Sequence, residues 1–399
     1  MLPPVNILTI AASLLGRPFI QEAKKQGHNV YLLTKAKLLT EPWNREDLTD
    51  VFGVPDIYDE KQVRNAVSYI ARDIKFDRIV PMGDWEMEIA AMLREHFRSP
   101  GMGETTMRYF RDKLAMRMKT KEDGLPIPDF TALFNWKEIH DYIDRVPAPW
   151  ILKPRQEAAS LGIKKIANRE ALWPELDKLG DKMSLMLLEK FTAGDVYHVD
   201  SVVHDDCQVA FATASKYGKP MLALNQEGGI FMTRLIPRGS PDEVALQELN
   251  RKVMKSLGLK RGVSHIEYIK GAEDGKFYFL EAGARVGAAR IADVIYHATD
   301  VCLWHEWARI EIKQGPSPIG TQRKEYAGSI FSLARAENPD LSGFNDPEIC
   351  YRQARKWHAG LIVKSPNQAR VEELLTQYHE RFLRDITTHT PRKETPPAS

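Results

Sequence analysis

Apolar and polar positions follow two distinct periods along the first hundred residues. Val5–Ala11 is an apolar-rich run of strand length, Pro18–Lys25 carries its apolar residues at helical spacing and meets Gly27, and Asn29–Thr34 is a second strand-like run. The pattern recurs with a helix over Lys61–Ile74, which keeps Val63, Val67 and Ile70 on one side, a strand over Arg78–Met82 and a helix over Trp85–Phe97. Residues 1–105 are therefore predicted to form a small doubly wound α/β domain. Ser99-Pro100-Gly101 breaks the pattern, and a helix is expected from Thr105 past Lys113 to Lys121. From strand-like Trp150–Lys153 to about residue 310, hairpins mix with crossovers, which predicts an α+β unit. The remainder offers strand, loop and an amphipathic helix over Gln368–Ile386, with Pro391–Ser399 expected to be disordered.

A chain of 399 residues suggests two or three compact units. An apolar share of 43% and a charged share of 28% are those of a soluble globular protein. The net charge of +2 gives no support to nucleic-acid binding or to an anionic membrane surface, both of which call for a clustered basic excess. Cys207, Cys302 and Cys350 are scattered without metal-ligand spacing, as expected of reduced thiols in a cytoplasm. No membrane span or signal peptide is indicated, so the expected location is cytoplasmic. The Leu14-Leu15-Gly16-Arg17 turn after the first strand has a single glycine and does not make a dinucleotide fingerprint.

The chemistry is concentrated further on. Val263–Ile269 and Lys276–Glu281 are rich in aromatic and β-branched residues and enclose the turn sequence Gly271–Gly275, which predicts an antiparallel hairpin. A three-residue loop of Glu273, Asp274 and Gly275, with Gly275 left-handed, sets Glu267 opposite Glu281. Side chains so opposed lie roughly 5 Å apart, where two ionised carboxylates repel unless a cation or a shared proton intervenes. A hard divalent ion resolves the conflict, magnesium first and manganese as an alternative. A register slipped by one residue would point the carboxylates apart, and a wet sheet face would make the pair ordinary. Period-two facing adds His265 and Gly283 beside the pair and Arg285 on the same side. Two acids, a metal and a cation fit phosphate chemistry.

Taken in chain order, Lys113, Lys153, Ser160, the Glu189-Lys190-Phe191 triplet, Glu267, Glu281 and Arg285 resemble the motif series of the ATP-grasp superfamily. More narrowly, the chain resembles its carboxylate–amine ligases and biotin-carboxylase-like proteins, over about residues 1–315. The resemblance implies an α/β N-terminal domain at 1–105, then an ATP-grasp domain at 106–318 whose two α+β subdomains hold nucleotide between them. The lid subdomain would span about 122–188, and a small C-terminal α+β extension 319–399. Ile151–Arg155 is similar to the first lid strand, whose lysine, Lys153 here, contacts the nucleotide phosphates. Glu157–Ile163 is similar to the loop that closes over the phosphates through backbone N–H groups and a serine hydroxyl, Ser160 here, although only Gly162 remains of its glycines. Arg111-Asp112-Lys113 is similar to the entry motif whose lysine also reaches phosphate.

Met186–Asp195 resembles the hinge, where the resemblance implies an acid and backbone groups of Glu189, Lys190 and Phe191 against the adenine edge, with Asp195 and His198 as ribose candidates. Phe279–Gly287 resembles the metal and phosphate strand. There Gly283 replaces the asparagine that in many members helps hold a second magnesium, and Arg285 fits the γ-phosphate and then an acyl phosphate. Leu224–Arg234 lies where related ligases cover the acyl and acceptor sites, which makes Arg234 a candidate partner for a substrate carboxylate or phosphate.

The resemblance implies an ATP- and magnesium-dependent ligase that activates a carboxylate as an acyl phosphate and couples it to an amine, with amino-acid or peptide-like substrates. Two rival readings share these residues. One is a nucleotide-binding homologue without ligation, suggested by Gly283 and the glycine-poor loop. The other is a biotin-carboxylase-type enzyme activating bicarbonate, disfavoured because no biotinyl-lysine module is recognisable. Trp304, Trp307 and Trp357 either pack the tail against the large subdomain or mark a homodimer contact.

Overall fold

Three separate sheets organise the chain. The computed structural model describes residues 3–157, 161–204, 207–219, 229–312, 319, 322–353 and 355–388; Ser160, Leu224–Gly228 and the expected disordered tail Pro391–Ser399 lie outside them. The first sheet is parallel, in the order β3-β2-β1-β4, from β1 (Asn6–Ala11), β2 (Asn29–Lys35), β3 (Asp50–Val54) and β4 (Arg78–Pro81). Successive residues of β1 feed opposite cores. Ile7 packs with Phe19 and Ile20 of the helix Arg17–Lys25, and Leu8 with Val63, Val67 and Leu93 of the helices Glu60–Ile70 and Met87–Phe97. β3 has no counterpart in the sequence expectation, because a short edge strand holding Asp50 and Gly53 carries little strand signal.

The helix expected from Thr105 to Lys121 is broken. A turn of helix at Glu104–Met107 and a 3-10 turn at Arg108–Phe110 precede the helix Lys113–Glu122. Asp112 causes the restart: its carboxylate caps the new helix by accepting the N–H groups of Leu114 at 2.9 Å and Ala115 at 3.4 Å. Lys113 is thereby fixed in the first turn.

The second sheet is antiparallel, in the order β5-β8-β6-β7, from β5 (Phe130–Ala132), β6 (Trp150–Pro154), β7 (Lys164–Ile166) and β8 (Met186–Lys190). The helices Trp136–Arg145 and Arg169–Leu179 cover it through Ile139, Tyr142, Leu172 and Leu176, which gives this lid a core of its own.

The third sheet has eight strands: β9 (Gly194–His204), β10 (Gln208–Tyr217), β11 (Phe231–Leu235), β12 (Gly262–Gly271), β13 (Phe277–Gly283), β14 (Tyr326–Leu333), β15 (Ile349–Arg352) and β16 (His358–Ser365). Their order is β13-β12-β9-β10-β11-β14-β16-β15, so the C-terminal strands extend the sheet of the preceding segment across residue 318. The helix Gln368–Arg381 packs Val371, Leu374 and Leu375 against this extension. Trp307 meets Phe19 edge-on at 5.6 Å and Trp304 at 5.9 Å, so these two tryptophans tie the large sheet to the N-terminal domain and not to the tail, while Trp357 is half exposed. Among the described residues no helix is long and apolar enough to cross a membrane.

Candidate active site

The β12–β13 hairpin sets Glu267 opposite Glu281, with His265 opposite Gly283. The turn differs from expectation. Four residues, Ala272–Gly275, separate Gly271 from Lys276, whose carbonyl accepts the Gly271 N–H at 2.9 Å, and Gly275 takes a left-handed φ of 68°. Tyr268 consequently faces Phe279, one residue away from the expected register, and a bulge at Leu280 restores it before the acids. The bulge also allows consecutive residues, Leu280 and Glu281, to face the same cleft.

That cleft lies between the lid sheet and the large sheet. Ile151 and Ile163 on one side and Val196, Ile269 and Leu280 on the other form an apolar slot that ends at Glu189, Lys190, Phe191 and Thr192. Lys190 and Phe191 give their backbone N–H groups to Asp129 and Pro149 (2.8 and 3.0 Å), and the Lys165 ammonium stands 3.8 Å over the Phe191 ring. Lys113 reaches in from its capped helix and donates to the Glu157 carbonyl at 2.6 Å and to Glu281 Oε1 at 2.8 Å. The one glycine of the lid loop stands where it is needed: Gly162 has φ 69°, and a Cβ there would lie 2.9 Å from Pro154.

Glu189 departs from its expected role at the adenine edge. Its carboxylate is buried between Lys153, which donates to Oε1 at 2.6 Å, and Arg117, which donates to Oε2 at 3.0 Å. Burial works to raise the Glu189 pKa, but Arg117 and Lys153 outweigh it and hold the acid below its ordinary value. Burial pushes Lys153 down to about 8 against the pull of Glu189. Arg117, fully buried and 5.5 Å over the Phe279 ring, is a member of this charge cluster that sequence reasoning missed. Its signal was present in the four-residue spacing from Lys113, which places both cations on one helix face.

On the far side of the acids, Tyr217 donates its hydroxyl to Glu267 Oε1 at 2.9 Å, and His265 stands 3.7 Å from the same oxygen. Asp200 bridges His265 (2.9 Å) and His198 (2.6 Å), and His198 also meets the Thr233 hydroxyl at 2.7 Å. His198, Asp200 and His265 are the one group of side chains among the described residues with a metal-ligand arrangement, here closed on itself by hydrogen bonds. Burial lowers His198, whereas Asp200 and Glu267 raise His265 to about 9 despite its burial. Burial works to raise Glu267 as well, but its bonds to His265 and Tyr217 hold it below the ordinary carboxylate value.

The structure therefore withdraws three expected contacts from the cleft. His198, opposite Glu267 on the neighbouring strand, is fully buried with both ring nitrogens engaged and offers nothing to a ribose. Asp195 alternates with the cleft-lining Gly194 and Val196, so it faces away and pairs with Lys216 at 2.7 Å. Arg234 follows Thr233, whose side chain meets His198, so Arg234 projects from the opposite face, where Glu372 (2.8 Å) and the Tyr217 carbonyl (2.8 Å) hold it.

Arg285 does face the acids. Its Nε pairs with Asp84 of the N-terminal domain at 2.8 Å, an ion pair that raises the arginine and lowers the acid against burial. A Cβ built on Gly283 would lie 3.5 Å from Asp84 Oδ1, so a carboxylate from another domain borders the place of the missing asparagine.

Two carboxylates on paired strands, with side-chain exposures of 23% and 35%, make an all-oxygen donor set that fits magnesium. Lys113 and Lys153 at the edge of an apolar slot fit the phosphates and base of ATP.

No family model matches the chain. An L-arginine-specific L-amino acid ligase of Bacillus subtilis is 24% identical over 306 residues, which cover 75% of this chain and 73% of that enzyme. The crystal structure of an L-amino acid ligase from Bacillus licheniformis superimposes with a TM-score of 0.76 at 16% identity, covering 97% of this chain and 99% of that one. The biotin carboxylase domain dimer of Hydrogenobacter thermophilus 2-oxoglutarate carboxylase, in complex with MgADP, ADP and bicarbonate, gives a TM-score of 0.70 at 14% identity, covering 93% and 88%. The order of the motifs and the sheets that carry them agree with these likenesses: the chain has the ATP-grasp fold and is similar to ATP-dependent carboxylate–amine ligases.

Proposed function

We propose that the chain joins an amino acid, through its carboxylate, to the amine of a second amino acid or short peptide. The observation that carries this reading is the Glu267–Glu281 pair facing a cleft whose wall holds Lys113 and Lys153. Magnesium, held by Glu267 and Glu281, supplies neutralising charge to the ATP phosphates. Lys153, oriented by Glu189 and Arg117, and Lys113, anchored on Glu281, draw the phosphates into line. A carboxylate oxygen of the first substrate forms a bond to the γ-phosphorus as the bond to the bridging oxygen breaks, and ADP leaves. Arg285, its plane fixed by Asp84, neutralises the transferring phosphoryl group and then the acyl phosphate. The amine nitrogen then attacks the acyl carbon, the carbon–oxygen bond to phosphate breaks, and the amine releases its proton as the amide forms. The lid excludes the water that would hydrolyse the acyl phosphate.

The test is an ADP-release screen across paired amino acids, with mass detection of the coupled product. Magnesium-dependent formation of ADP and a dipeptide in equal amounts is expected. ADP release stimulated by bicarbonate alone would replace the reading with a carboxylase, and no ADP with any pair would leave a nucleotide-binding module.

A cytosolic location is proposed because none of the three cysteines is in a disulfide. A homodimer is the proposed assembly, in line with the dimeric carboxylase relative; sedimentation velocity giving a monomer at all concentrations would remove it.

A further inference from the structure

Beyond the end of β13, Ala284 lines a second cavity of about 320 Å3, which shares no lining residue with the ATP cleft. Its walls come from both large units: Arg94 and the Gly101–Met107 connection on the N-terminal side, the Gly258–Val263 turn and the helix Leu303–Ile312 on the other. Two oppositely charged side chains line it, both more than nine-tenths buried: Arg94 at 6% exposure and Glu311 at 7%. Arg94 gives two of its five N–H donors to backbone carbonyls, Nε to Ile79 at 2.8 Å and Nη1 to Met102 at 3.3 Å. The Glu311 carboxylate accepts the Trp307 indole N–H at 3.3 Å. Among the described residues neither side chain forms a close ion pair, and Glu311 acts on Arg94 only through space.

A buried guanidinium and a buried carboxylate without a close ionic partner are each costly, and a polar ligand between them would relieve both at once. The surroundings add two constraints. Lys260 adds a cation to that wall, which favours a carboxylate at the Arg94 end. Met102, Leu259, Val263 and Trp307 supply apolar surface for the rest of the molecule.

We propose that this cavity binds a small zwitterion, an α-amino acid with an apolar side chain, its carboxylate on Arg94 and its ammonium on Glu311. Such a site is separate from the substrate sites of the ligase reaction and stands whether or not that reaction is as described above. It joins the two walls by bridging Arg94 on one and Glu311 on the other.

Calorimetric titration of the ATP-free protein tests it, with L-leucine as the probe and two half-probes, 4-methylpentanoate without the ammonium and 3-methylbutylamine without the carboxylate. Leucine should bind, and each half-probe should bind at least about tenfold more weakly, since each leaves one buried charge unanswered. Glu311→Gln, which keeps the shape, and Thr106→Phe, which fills the cavity, should each weaken leucine binding by at least about tenfold. The isosteric variant decides the matter if the larger one fails to fold. No leucine binding, binding unchanged in Glu311→Gln or in folded Thr106→Phe, or a half-probe equal to leucine would each overturn the proposal.

Discussion

At the scale of single residues, the site is a set of charges that each depend on a partner. Glu281→Gln removes one of the two carboxylate charges at the metal position while keeping its size, so ADP formation should fall by at least about a hundredfold with the cooperative unfolding transition retained. Normal turnover in that variant would remove the metal assignment. Lys153 gives a pH signature. Burial brings its pKa to about 8, so the ammonium that grips phosphate is present in the free protein below that pH and fades above it. Binding MgATP above pH 8 must then take up a proton, and the Kd should rise with pH by up to about tenfold per unit. Titrations between pH 7 and 10 check this, and a flat Kd would mean that Lys153 does not contact the phosphates. Arg117 is tied to the same behaviour. Arg117→Met removes one cation from a buried triad and should cost about 3–5 kcal/mol in urea unfolding. It also relieves the repulsion that helps depress Lys153, so in the folded variant the alkaline weakening should begin at higher pH.

At the scale of elements, facing decided which expectations held. The hairpin was legible because aromatic and branched runs around a glycine turn leave few registers, and the two acids meet even though the loop is longer than expected. The bulge at Leu280 that reconciles them was not legible, since nothing in Phe279-Leu280-Glu281 distinguishes a bulged strand from a regular one. Asp195 and Arg234 were misjudged for a related reason. Along an alternating strand, one residue's facing fixes all the others, and here the anchors were Val196 and Thr233, whose contacts lie in distant strands. His198 faces the correct side, beside Glu267 on the neighbouring strand, but it is buried there and Asp200 and Thr233 saturate it. Arg234 now reads as a clasp between β11 and the C-terminal helix through Glu372. Replacing it with Met should lower stability by about 1 kcal/mol, because the pair is partly exposed, and should leave kcat and KM for all substrates within about twofold. A large rise in the KM of either amino acid would return Arg234 to the substrate site.

At the scale of the whole molecule, three sheets of the described residues surround the cleft, and the Asp84–Arg285 ion pair is a polar contact between the N-terminal domain and the strand that carries Glu281. Asp84 follows β4, at the carboxyl end of the parallel sheet, where open α/β sheets place their ligands, and it borders Gly283 on the site strand. A guanidinium held through Nε by Asp84 and through Nη1 by the Val286 carbonyl at 3.2 Å keeps a fixed plane and presents its other N–H groups to a charge that appears only during transfer. Asp84 is thus a positioning residue: it touches neither metal nor phosphate in the proposed reaction but sets the direction of the group that does. Asp84→Ala should lower kcat/KM for the carboxylate substrate by about 10- to 100-fold, because misplacing a charge that stabilises the transferring phosphoryl group carries a cost of that order. The Kd for MgATP should stay within about twofold, since Lys113 and Lys153 grip the ground-state phosphates without Asp84. Asp84→Asn keeps an oxygen that can accept the Nε–H bond and should recover part of the loss. Parallel loss of MgATP binding, or no rescue by Asn, would mean that Asp84 acts only by holding the two domains together.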